Sequence, residues 1–172
     1  MAEDPQDELR KAWLQAAQKF DYFMAGLSAA VTAYAAKTVT PAPIALSPGT
    51  LDLLGFFFFL VASVAAFKRI ETFNAGLKVN YGKLDAEDRA ASLEGALEQD
   101  LEVIVRGEGP RSPEEVAKTA KGWRKAAASL DTTLDKLGRK AVTYYNLRNA
   151  ALLCGVLALV ASRIWASYLG AS

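Results

Sequence analysis

Histidine is absent from the chain and cysteine occurs once, at Cys154. The first absence removes imidazole bases, Ser–His and Cys–His nucleophiles and histidine-rich metal sites; the second removes an intrachain disulfide and any multi-cysteine zinc site. A charge excess is missing too, with 20 Lys plus Arg against 19 Asp plus Glu, so no nucleic-acid footprint follows from net charge. The glycine-containing stretch Gly107-Glu108-Gly109 is not followed by the lysine and hydroxyl residue of a phosphate loop. Asp85, Glu87 and Asp88 lack the spacing and glycine of a calcium loop. No cofactor, metal or catalytic group is therefore expected, and a non-enzymatic protein is the reading.

Also missing is an uncharged stretch of the ~20 residues that a spanning helix ordinarily needs. Three shorter runs are present instead: Tyr22 to Ala36, Leu53 to Phe67 and Asn149 to Ser162, each bounded by charged residues. The second, rich in phenylalanine, is apolar on every face, as suits lipid or the core of a much larger protein. Basic side chains at the ends can snorkel, and Tyr144, Tyr145, Trp165 and Tyr168 bracket the third run where an aromatic belt would lie. A soluble three-helix core is the competing reading. Three spans are expected, in an all-α integral membrane protein with a long antiparallel coiled-coil hairpin between spans two and three.

The expected order is an amphipathic helix over 1–19, with Leu9, Trp13, Ala16 and Phe20 on one face, then a first transmembrane helix over 20–39. An external loop over 40–50 leads to a second span over 51–67. A helical hairpin over 68–148 turns at 107–111, and the third span covers 149–170. The opening is acidic and its helix pattern runs on, so the first apolar run is expected to be retained rather than cleaved. Lys and Arg number three before that run, one between the first two runs, fifteen between Phe67 and Asn149, and one beyond. That asymmetry places the N-terminus and the middle segment in the cytoplasm and the C-terminus outside. The general plan looks like that of small bacterial membrane proteins, so a bacterial inner membrane is the expected location.

The hairpin is read from spacing. Val116, Ala120, Trp123, Ala127, Leu130, Leu134, Leu137, Ala141 and Tyr144 alternate steps of four and three, the seam of a coiled coil. Ser112 caps this helix, Pro113 suits its first position, and Glu114 and Glu115 meet the positive end of its dipole. It is expected to continue unbroken into the third span. On the first arm Ile70, Phe73, Leu77, Tyr81 and Leu84 form the expected stripe, resumed by Leu93, Leu97, Leu101 and Ile104 up to Arg106, with a possible break at Gly82 to Asp85. Glu94, Glu98, Asp100 and Glu102 are expected opposite Lys118, Lys121, Arg124 and Lys125.

The charges bounding the spans sort into an inner layer, Asp21, Lys68 and Arg148, and an outer layer, Lys37, Asp52 and Arg163. Charges within a bilayer are expected to pair, Asp52 with Arg163 deepest. Small residues at Ala25, Ala29 and Ala33, beside Gly26 and Ala30, suit close helix packing. The expected function is a membrane-anchored helical scaffold or interaction module whose partners are the bilayer, further copies of the chain and a cytoplasmic protein on the stalk. The alternative is a small channel or pore-forming subunit, its path lined by span one and Arg163.

Overall fold

The computed structural model describes residues 5–38, 47–99, 101, 103–105, 109–110 and 112–170. Among them the chain is helical, as α1 (Pro5–Thr38), α2 (Pro48–Glu98) and α3 (Pro113–Gly170). One short antiparallel pairing lies between α2 and α3, with β1 (Ile104–Val105) against β2 (Gly109–Pro110) and Ile104 opposite Pro110.

Both long helices begin on a Ser-Pro step. At α3 the Glu115 amide donates to Ser112 Oγ (3.3 Å) and the Ser112 amide donates to Glu115 Oε2 (3.2 Å), a reciprocal capping box. At α2 the Thr50 amide donates to Ser47 Oγ, so this helix starts at Pro48, ahead of the expected 51. It then passes through Gly82 to Asp85 unbroken. It stops at Glu98, short of the expected Arg106, where the Leu101 amide closes the end on the Ala96 carbonyl (2.9 Å). The cause is local: Val103, Ile104 and Val105 are β-branched, and Ile104 and Val105 pair as a strand. Of the expected turn, residues 107, 108 and 111 lie outside the described residues, as does Arg106, while Gly109 and Pro110 belong to β2. Asp100 and Glu102 are also outside them, as are the loop residues 39–46 and the side chains of Leu9 and Trp13.

α1 shows no break at residue 19. Of its expected face, Ala16 and Phe20 are exposed, while Asp21, Ala25, Ser28, Thr32 and Ala35 turn inward. Of the small-residue row, Ala25 is buried and Ala29 half-buried, while Ala33, Gly26 and Ala30 are exposed. Every inward position of α1 steps by four and three, so a stripe that mixes a carboxylate with hydroxyls and alanines outranks one chosen for hydrophobicity.

The contacts divide the chain into two compact units, one of residues 1–71 with 140–172 and one of Thr72–Arg139. In the second unit, Arg124 meets Glu94 and Lys83 meets Asp131, so the partner number rises as the other falls, as in antiparallel helices, and Arg89 stacks on Trp123. Val116, Trp123, Leu130, Leu134 and Leu137 all lie at the buried or half-buried positions of α3. The facing stripe on α2 keeps the expected Leu93 and Leu97 and differs before them. It is Gly76, Val79, Lys83, Ala86, Ala90, Leu93 and Leu97, whereas Leu77, Tyr81 and Leu84 are exposed. Small side chains at the buried Ala86 and Ala90 suit close packing.

In the first unit α2 and α3 meet through small residues. An ideal Cβ on Gly155 would lie 2.8 Å from Phe59 Cε1, and one on Gly55 would lie 3.1 Å from Leu159 Cδ2. Ser162 Oγ donates to the Pro48 carbonyl (2.9 Å), and Thr32 Oγ1 and Ser63 Oγ share a hydrogen bond between α1 and α2 (2.9 Å). Among the described residues α2 and α3 are long and apolar enough to cross a membrane, and only 33% and 22% of their most apolar windows are buried. A soluble core helix would be mostly buried. Instead Phe57, Leu60, Val64 and Phe67 on α2, Leu153, Leu157, Val160 and Ile164 on α3, and Tyr22, Phe23 and Leu27 on α1 all face outward.

Candidate functional site

The seam of α3 does not end at Tyr144. The same alternation continues through Arg148, Ala151, Gly155, Ala158, Ser162 and Trp165, every one buried or half-buried. Arg148 therefore sits at an inward position between Tyr144 and Ala151, and its side chain is 1% exposed. On α2 the inward stripe of the first unit runs through Ala62, Ala65 and Arg69. On α1 the equivalent position is Asp21. Three seams thus bring one carboxylate and two guanidinium groups to one place.

The geometry is a shared carboxylate. Arg148 Nη1 donates to Asp21 Oδ1 (3.3 Å) and Arg69 Nε lies 3.1 Å from Asp21 Oδ2. Arg148 Nε donates to Asn149 Oδ1 (3.1 Å). Tyr145 lies under both cations, its ring centroid 4.5 Å from the Arg69 guanidinium carbon and 5.0 Å from that of Arg148. Arg69 Nη1 is buried without a hydrogen-bond partner. An open groove of about 200 Å³ is lined by Arg69, Ala141, Val142 and Tyr145.

Of the residues expected in the inner charge layer, Asp21 and Arg148 meet, and Lys68 does not join them. Lys68 is exposed and pairs with Glu71 on its own helix (2.7 Å); that hydrogen bond raises its pKa. Its neighbour Arg69 takes the inward place, one residue along a helix being about a hundred degrees of turn. In the other layer Arg163 Nη2 approaches Asp52 Oδ2 at 3.9 Å, but the Arg163 side chain is 68% exposed and Asp52 Oδ1 is buried without a partner. Lys37 is exposed. The expected pairing of Asp52 with Arg163 is thus present but long, while Asp21 and Arg148 are the more buried within the protein.

In the second unit one expected cross-helix pair forms with two contacts: Arg124 Nε and Nη2 both donate to the Glu94 carboxylate, the Nε bond at 3.0 Å. This hydrogen bonding lowers the Glu94 pKa and raises that of Arg124. Lys83 reaches from its inward position to Asp131, which raises its pKa, and lies 3.9 Å from Glu87. Glu98, Lys118, Lys121 and Lys125 are exposed.

The chain matches no known protein family, and no curated protein or solved structure matches it. Its chemistry must be read from its own residues. Among the described residues no group of three or more Cys, Asp or Glu could hold a metal ion. Sequence reasoning missed Arg69 and undervalued Tyr145; the available signal was the spacing of Arg69 from Ala62 and Ala65.

Proposed function

We propose that the chain is a three-span integral membrane protein, non-enzymatic, whose middle segment is an antiparallel coiled-coil stalk that self-associates and serves as a scaffold. The charge asymmetry puts the stalk and N-terminus in the cytoplasm, in a bacterial inner membrane. The observation that carries this reading is the outward face of α2 in the second unit. Leu77, Tyr81 and Leu84 step by four and three and are exposed, Tyr81 by 72%, on a segment that is otherwise rich in charge. A helix already burying one seam exposes a second. Two copies in one bilayer are related by a two-fold axis along its normal, so each presents this same stripe to the other.

Light scattering on the detergent-solubilised chain, with the detergent mass subtracted, tests it. An oligomer that falls to monomer in Tyr81→Lys and Leu84→Glu is expected. A wild-type monomer that captures no cytoplasmic protein refutes the scaffold. The exposure of Arg163 favours a second reading, a small channel whose path this residue lines together with span one. Reconstituted bilayers without conductance, or with conductance indifferent to Arg163→Ala, would remove it.

A further inference from the structure

We propose that the groove at Arg69 and Tyr145 is a headgroup site for the phosphodiester of an anionic phospholipid. The inference rests on the membrane reading above and goes beyond it. Three observations carry it. Asp21 supplies one negative charge against Arg69 and Arg148, so the cluster keeps one uncompensated positive charge in a place where Arg148 and Asp21 are both buried. Within Arg69, Nε is committed to Asp21 while Nη1 is buried and has no acceptor. The open groove of about 200 Å³ is lined by Arg69, with Ala141, Val142 and Tyr145 as its other walls, apolar apart from the tyrosine hydroxyl.

The location suits a lipid rather than a free ion. Phe67 and Leu147, close in sequence to Arg69 and Tyr145, are exposed and end the outward apolar surface of α2 and α3, where acyl chains would lie. A phosphodiester carries one negative charge, which neutralises the cluster, and its two free oxygens suit the planar donors of an arginine. Tyr145 holds both guanidinium groups in place by stacking and is itself partly exposed.

Native mass spectrometry of the full chain in detergent, with phosphatidylglycerol or phosphatidylcholine added, tests the proposal. The wild type is expected to retain one phosphatidylglycerol in preference to phosphatidylcholine. Arg69→Gln is expected to weaken that retention by about tenfold, the order of one charge-assisted hydrogen bond. Val142→Phe, which narrows the groove without touching an ion pair, is expected to do the same, and it keeps the test valid if Arg69→Gln fails to fold by circular dichroism. Arg163→Gln is expected to change nothing. Equal retention of the two lipids, or unaltered retention in both groove variants, overturns the site. Displacement of phosphatidylglycerol by excess inorganic phosphate overturns the lipid source in favour of free phosphate. Carbonate extraction of membranes separates the two readings: loss of the chain from the pellet sinks the membrane assignment, whereas a retained chain with no lipid preference sinks only this site.

Discussion

Replacing Asp21 by asparagine tests the charge cluster directly, because it removes one negative charge and almost no volume. In the wild type the carboxylate lies 3.1 Å from Arg69 Nε and 3.3 Å from Arg148 Nη1. At an effective dielectric constant of about 20, each contact is worth about 5 kcal/mol before desolvation. Desolvation offsets most of that gain, so the pair is not a large net contributor to stability. Breaking it is another matter. Arg148, 1% exposed, has no route to solvent, and an uncompensated buried charge costs about 3–5 kcal/mol. Arg69 is 22% exposed and can relax, and the asparagine carbonyl still accepts one hydrogen bond, so the lower end, about 3 kcal/mol, is expected. The assay is unfolding of the detergent-solubilised chain by titration with sodium dodecyl sulfate, followed by circular dichroism. Arg163→Ala is the control, expected to cost at most about 1 kcal/mol because its contact is long and exposed. Asp21→Leu combined with Arg148→Met should recover part of the loss, as removing both charges of a buried pair often does. If Asp21→Asn costs no more than Arg163→Ala, the three seams do not meet in a dry cluster and the reasoning fails.

Gly155→Ala should destabilise by about 1–3 kcal/mol in the same titration, since the new methyl group would lie 2.8 Å from the ring of the buried Phe59. Gly26→Ala, with nothing within 4 Å, should instead be neutral or stabilise by up to about 1 kcal/mol through helix propensity; equal effects at the two glycines would deny the close approach of α2 and α3. In the second unit, Ala90→Phe overfills a fully buried inward position and should lower the melting midpoint, while Leu84→Phe on the exposed face should not. The Glu94 carboxyl is held below its ordinary 4.5 by Arg124, so its contribution is full above that pH and is lost as the pH falls through the lowered value. Glu94→Gln should flatten this acid limb of the circular dichroism signal, and superimposable limbs would rule the pair out. Lys83, raised by Asp131, behaves oppositely: its contribution is full below 10.5 and fades as the pH rises through the raised value.

Capping and one seam were legible because each is a local rule. Ser112-Pro113 with Glu115 three residues after the serine specifies a helix start through its own hydrogen bonds, and the structure closes both of them. Val116 to Tyr144 could be read because most of its seam positions are apolar. The α2 stripe was misread for the converse reason. Leu77, Tyr81 and Leu84 are more hydrophobic than Gly76, Lys83 and Ala86, yet the close-packed partner selects for small volume, and a lysine can bury its stem while sending its ammonium to Asp131. The end of α2 was misplaced because Leu101 and Ile104 keep the spacing of a helix, while the β-branched run beginning at Val103 decides the backbone.

Arg148 shows what spacing reveals and hydrophobicity hides. From Val116 to Trp165 the inward positions of α3 alternate four and three without a slip, through leucines, alanines, a glycine, a serine and this one arginine. A strict repeat of 3.5 residues keeps one face on its neighbours only if the helix coils left-handed, and that requirement is the same for every side chain on the face. Polarity decides only what each inward residue must find there. Leucine needs a groove, glycine needs a ring such as Phe59, and arginine needs a carboxylate, which α1 provides at Asp21. The charge layers therefore could not be sorted by distance from the apolar runs, which favours neither Lys68 nor Arg69. They are sorted by phase, which admits Arg69 and sends Lys68 outward. By the same rule Arg163, one step past the inward Ser162, should tolerate substitution wherever stability is the readout, and a sensitivity to Arg163→Ala confined to conductance or assembly would mark it as functional rather than structural.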